Sequence, residues 1–242
     1  MLSTLANPAR FMLVSAWAAP VLGAVALVLF AIGLPWALIY SPADYQQGET
    51  VRIMYVHVPA AWMALMVYSF MALAHGTAIV FRHPLADLAA KAAAPAGSCF
   101  TFLALATGSL WGRPMWGTWW QWGDARLTSM FVLLLLYLGY LAVWQAVSEP
   151  KRAGRIAAIV ALVGFINVPV VKFSVDWWST LHQPASVFRM GGPTIHPSLL
   201  LPLSVMAAAY AMFFLALWLA AMKAEILSRR IHQMQIAEAG RA

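Results

Sequence analysis

His57, in V-H-V-P, and His182, in L-H-Q-P, are the side chains best suited to hold a transition metal, because a neutral imidazole offers one unprotonated nitrogen as a donor. Two imidazoles on opposite faces of a haem give a six-coordinate iron. Such a site requires two distant stretches of chain to converge. The other reading is that each ring caps a helix or lines a loop. His196, before Pro197, shares these alternatives. His83 and His232 fall in charged segments and read as solvated. His75 lies deep in an apolar run, where a hydrogen bond between helices is the expected role.

The stretch 111–128, WGRPMWGTWWQWGDARLT, holds Trp111, Trp116, Trp119, Trp120 and Trp122, five of the chain's twelve tryptophans. Tryptophan favours the headgroup level of a bilayer, so an interfacial belt is one reading. The other is a shelf for a large flat π-surface such as a porphyrin. If the segment is an interfacial helix, Trp116, Trp119 and Trp120 share one face at i, i+3 and i+4. Arg52, Arg113, Arg126 and Arg189 stand near these residues in the expected topology. Guanidinium pairs with carboxylates such as haem propionates, and equally with lipid phosphate. Asp124 and Asp176 could orient a histidine or an arginine, or remain solvated.

These residues must be positioned by membrane helices. Of 242 residues, 63% are hydrophobic and 10% are charged, too few to coat a water-soluble globule. The net charge of +7 is dispersed rather than gathered into a nucleic-acid stripe, so no nucleic-acid partner is expected. Six stretches supply the roughly 20 apolar residues that a helix needs to cross a bilayer. They are Trp17–Tyr40, Tyr55–Phe81, Ala92–Leu110, Thr128–Val147, Ile156–Val175 and Ser198–Met222. The first is too long for the apolar core of a signal peptide and reads as a retained span. The expected fold is an all-α integral membrane protein, one six-helix domain over 1–242, with 111–128 as a tryptophan-rich interfacial loop.

Sidedness follows from the cations. With both termini inside, Arg10, Arg82, Lys91, Lys151, Arg152, Arg155, Lys223, Arg229, Arg230 and Arg241 are inner, while Arg52, Arg113, Arg126, Lys172 and Arg189 are outer. This excess fits the positive-inside rule, and Glu149–Arg155 is its clearest segment. Ala96, Gly97 and Ser98 predict close helix contact. Asn167, Pro169 and Lys172 predict a broken or polar-lined fifth span, with Lys172 snorkelling outward. Pro59 is expected in the first turn of span two. Cys99 is the single cysteine, so no internal disulfide is possible; it reads as a buried structural thiol. No C-x-x-C-H haem-attachment site occurs.

The tryptophan-rich stretch, RIMYVHVPAAW before span two and WWSTLHQPAS before span six occur in this order. Together they resemble the cytochrome c maturation protein C family, haem-handling membrane proteins with a tryptophan-rich (WWD) signature. The likeness covers the whole chain. It implies a multi-pass protein of the Gram-negative bacterial inner membrane, with cytoplasmic termini and a periplasmic 111–128 loop. The implied role is to bind haem b (iron protoporphyrin IX) on the periplasmic face. Delivery goes to a membrane-anchored haem chaperone, cytochrome c maturation protein E. The implied associates are an ATP-binding cassette pair, maturation proteins A and B, and a small single-span subunit, maturation protein D.

By motif position, the resemblance makes His57 and His182 the axial pair. It makes Trp116, Trp119, Trp120, Trp122 and Asp124 the haem platform, with Arg52 and Arg126 as cations beside haem. The family reads W-D directly, whereas this chain has Trp122-Gly123-Asp124. In a helix the added glycine turns Asp124 by about 100°; otherwise a local bulge absorbs it. The chain is expected to be no enzyme, with ATP hydrolysis in a partner. The rival readings are a haem-transporting subunit of an ABC-type complex and a purely structural membrane subunit.

Overall fold

The computed structural model describes residues 7–83, 85–178 and 180–239; Ser179 of the WWSTLHQPAS motif and the topology residue Arg241 lie outside them. Among the described residues, seven α-helices form six spans. Helix α1 (Pro8–Pro35) continues through a π-helical turn, Trp36–Tyr40. A 3₁₀ turn, Glu49–Ile53, leads into α2 (Met54–Phe81), followed by α3 (Ala86–Trp116) and α4 (Ala125–Ala146). The fifth span is α5 (Pro150–Gly164) plus α6 (Asn167–Trp177), and α7 (Pro197–Ala239) closes the chain. All six spans are long and apolar enough to cross a membrane.

The helices outrun their apolar cores. Helix α1 starts where the Asn7 carboxamide accepts the amide of Ala9 at 2.9 Å, with Pro8 at the first helical position. Helix α2 starts at Met54, so Pro59 sits six residues in rather than in the first turn; the preceding 3₁₀ turn already sets the helical direction. Helix α7 has 43 residues, about 65 Å at 1.5 Å per residue, roughly twice a hydrocarbon core.

The fifth span breaks as expected, and its residues explain how. Pro169 has no N–H for the carbonyl of Phe165 four residues earlier, and its ring crowds that carbonyl. The helix therefore stops at Gly164 and restarts at Asn167, whose Nδ2 donates to the Ser129 carbonyl at 2.9 Å. Gly164 is also where the Tyr68 hydroxyl presses in; a β-carbon there would overlap it.

Small residues and tyrosines build the packing of α2, α3 and α4. The Tyr137 ring lies so close to Gly97 that a β-carbon would overlap it, and its hydroxyl donates to the Ala64 carbonyl at 2.8 Å. Tyr137 meets Tyr68 edge-on at 5.0 Å. His75 is buried and bonds the Tyr140 hydroxyl at 2.9 Å, the interhelical role expected of it. Cys99 corrects the expectation of a buried thiol: it is exposed on α3. An apolar setting suits a thiol equally against protein or against lipid, and here α3 turns it outward.

Ion pairs secure the end of the bundle where α7 overhangs. Lys91 bonds Glu225 at 2.7 Å, and Arg229 bonds Asp87 at 3.0 Å, tying the start of α3 to the overhang. The ammonium of Lys91 also lies 5.0 Å over the Trp144 ring.

Candidate functional site

At the opposite end a cavity of about 280 Å³ opens between α2, α3, α4, α6 and the loop joining α6 to α7. His57 and His182 both line it, although 125 positions separate them in the chain. Its apolar lining includes Leu65, Leu105, Met130 and Leu203, while Gln47, Arg126, Lys172 and Gln183 supply polar groups. The volume lies at the low end of small-molecule pockets, roughly 300–1,000 Å³. A macrocycle would therefore enter in part and keep an edge outside.

His57 projects from the first turn of α2 onto α3. Its Nδ1 lies 2.9 Å from the Ala104 carbonyl and 3.1 Å from the Thr107 hydroxyl. The ring fits because residue 108 is glycine; a β-carbon there would stand 3.0 Å from Cε1.

His182 depends on Asp124. The carboxylate is 4% exposed and caps α4, with Oδ1 accepting the Leu127 amide at 2.9 Å. Its Oδ2 accepts the Leu181 amide at 2.7 Å, and Oδ1 stands 3.4 Å from His182 Nδ1. That Nδ1 is buried and has no aligned hydrogen-bond partner among the described residues. Burial alone would raise the Asp124 pKa; the His182 ring and the two amides outweigh it and hold the carboxyl at about 2. The added Gly123 lies in a turn closed by the Asp124 amide donating to the Gln121 carbonyl at 3.1 Å, so no helical rotation displaces Asp124. Asp124 thus sits behind His182 rather than on an open platform.

The tryptophans do not share one helical face. Gly117, at φ +76°, terminates α3 directly after Trp116, and the chain to Gly123 is irregular. Hydroxyls hold this segment by its carbonyls: Ser109 donates to Trp119 at 2.8 Å, Thr118 to Trp120 at 2.9 Å and Thr128 to Trp122 at 2.7 Å. Arg113 adds a bond to the Gly117 carbonyl.

Two aromatic groups result. Trp116 packs edge-on between Trp111 and His182, at 4.9 Å from each ring. Trp120 and Trp122 instead meet each other at 5.3 Å and pack against Phe131. Trp119 and Trp122 are exposed, at 54% and 68%. Helical spacing does not apply where no helix forms.

The arginines also differ. Arg126 lines the cavity and is braced on α6, its Nε donating to Ser174 at 3.2 Å and its Nη2 to the Lys172 carbonyl at 3.3 Å. Arg52 is not among the lining residues; it pairs with Glu49 at 2.5 Å, and its buried Nη1 has no partner among the described residues. His196 is exposed and accepts the Ser198 amide at 3.3 Å.

Sequence reasoning placed Trp111 in the tryptophan cluster but outside the platform set, and gave no role to Trp62 and Phe188; all three line the cavity, the last two with tilted rings at 4.9 Å. It also passed over Thr107 and Gly108. The glycine in A-T-G-S was the available signal, since a small residue on a packed helix face marks a close neighbour.

The fold and site define a class: six-span helical membrane proteins in which one surface cavity is lined by two histidines, a donor type that suits a transition metal. A family model described as "Heme exporter protein C" matches residues 1–237. The chain is 57% identical to heme exporter protein C of Bradyrhizobium diazoefficiens, over 98% of this chain and 89% of that one. It is 46% identical to the Escherichia coli protein of that name, over 84% and 81%, and 41% identical to that of Paracoccus denitrificans, over 93% of each. The chain belongs to the heme exporter protein C family.

Proposed function

We propose that this protein binds haem b between His57 and His182 on the periplasmic face of the bacterial inner membrane, and presents it for c-type cytochrome assembly. The observation that carries this reading is the convergence of two histidines from α2 and the α6–α7 loop on one cavity. Each has its Nδ1 turned to a protein oxygen, which leaves Nε2 available for iron. Family membership supports a haem-handling role in cytochrome c maturation.

Haem is cargo here, and the chain makes no bonds to it beyond coordination. Trp111 and Trp116 flank the cavity end of α3, and Arg126 and Lys172 offer cations to propionates. Arg52 serves propionates from outside the cavity. Trp119, Trp120, Trp122 and Asp124 extend and support the outer rim. The shallow cavity keeps one porphyrin edge reachable for the haem chaperone, maturation protein E. Maturation proteins A and B supply ATP hydrolysis, and maturation protein D completes the complex. Both termini lie in the cytoplasm, following the excess of inner cations.

Purified protein loaded with haem should give a Soret band and low-spin iron. The double variant His57→Ala/His182→Ala should lose both features; an unchanged spectrum would refute the ligation.

The break between α5 and α6 favours a second reading, a haem-transporting subunit, because interrupted helices line transport paths. Haem uptake by vesicles containing this chain alone would support it.

A further inference from the structure

The two histidines are backed by different chemistry. A carbonyl oxygen can only accept, so the contact at 2.9 Å with Ala104 places the proton of His57 on Nδ1. The Thr107 hydroxyl sends its own proton to the Leu103 carbonyl at 2.7 Å and therefore turns a lone pair toward the same N–H. Both groups are neutral. They fix the tautomer and ring angle of His57 and draw little on the Nδ1 proton.

Behind His182 stands a carboxylate. Asp124 is anchored by the amides of Leu127 and Leu181, so it cannot swing away, and its Oδ1 faces the Nδ1 of the ring. A carboxylate that accepts from Nδ1–H pushes electron density to Nε2 and strengthens it as a metal donor. The gap of 3.4 Å leaves the ring room to align with the carboxylate when Nε2 takes up a metal.

We propose that Thr107 and Asp124 are positioning residues that make the two iron bonds unequal. His182 is the strong, retained ligand and His57 the weak, exchangeable one. The proposal rests on the bis-histidine reading above. On delivery, the Fe–Nε2 bond to His57 breaks and a bond from a neutral donor on the receiving protein forms in its place. The iron keeps its oxidation state. His182 holds the cargo during the exchange.

The test uses the full chain in detergent, loaded with haem, as wild type, Asp124→Asn, Thr107→Val and Thr107→Ser. Asparagine keeps the Oδ1 that caps α4 and faces His182 and removes the charge, losing only the acceptor for the Leu181 amide, so Asp124→Asn should fold. Its haem affinity should fall about 10–100-fold and its reduction potential should rise. Thr107→Val should lose less than about tenfold, with little change in potential, and Thr107→Ser should behave as wild type. Added imidazole should displace His57 before His182, so a His57→Gly protein given imidazole should regain a low-spin spectrum and keep its haem through desalting. The matching His182→Gly protein should lose it.

Equal effects of Asp124→Asn and Thr107→Val on affinity and potential would overturn the inequality while leaving bis-histidine binding intact. A wild-type chain without a low-spin bis-imidazole spectrum would overturn the binding reading itself, and this inference with it.

Discussion

Asp124 holds the backbone amide of Leu181 at 2.7 Å, one residue before His182. The residue that starts α4 therefore also sets the position of a histidine 58 residues later. Asp124→Ala removes a helix cap, a loop anchor and the charge behind the ring. It should cost about 1 kcal/mol from the cap alone and at least about tenfold in haem affinity. Thermal unfolding in detergent and haem titration measure the two effects separately.

The same carboxylate predicts an acid limit. Its folded pKa of about 2 lies below the roughly 3.9 of an unfolded aspartate. The stabilisation is complete above about pH 4 and is lost as pH falls through 2. The unfolding temperature of haem-free protein should drop across this window. Asp124→Asn should lack that component, and the two curves should approach each other at the acid end.

Gly108→Ala tests the seat of His57. Alanine favours the helix by about 1 kcal/mol, so the fold should persist. The new methyl would press on Cε1 from 3.0 Å and push the ring off its Ala104 and Thr107 partners. Haem titration should show weaker binding by several-fold to tenfold with an unchanged helical circular dichroism spectrum.

Gly97→Leu probes packing away from the cavity. The Tyr137 ring that covers Gly97 is held by its bond to the Ala64 carbonyl and cannot retreat freely. Overpacking should destabilise the bundle by about 1–3 kcal/mol. Protein that remains folded should bind haem with wild-type affinity, which a spectrum of the monodisperse fraction reports.

Sidedness can be read with thiol labels in a Cys99→Ser background. Gln121→Cys, next to the exposed Trp122, should react in intact cells with a membrane-impermeant maleimide, whereas Ser228→Cys on the α7 overhang should react only after lysis. The reverse pattern would overturn the proposed orientation.

Hydropathy made the six spans legible, and Pro169 with Asn167 made the break in the fifth legible. Helix ends were less so: α7 continues to Ala239 through a polar stretch that ion pairs, rather than lipid, hold in place. Cys99 shows a related limit, because composition does not distinguish a surface facing lipid from one facing protein. In the tryptophan-rich stretch, the i, i+3, i+4 pattern suggested a helix although Gly117 offered a terminating residue. Trp62 closes the RIMYVHVPAAW motif without being marked as a lining residue, and Phe188 lies in none of the three motifs. Only the tertiary fold brings them together.

Helix α7 contributes Leu203 to the cavity wall and, 26 residues later, Arg229 to the pair with Asp87. Helix α3 begins beside that pair and carries Thr107 and Gly108 at its far end. The two helices are fastened to each other at the overhang, and both reach the cavity lining at the opposite end. One helix pair thus carries both the ion-paired overhang and part of the wall around the two histidines.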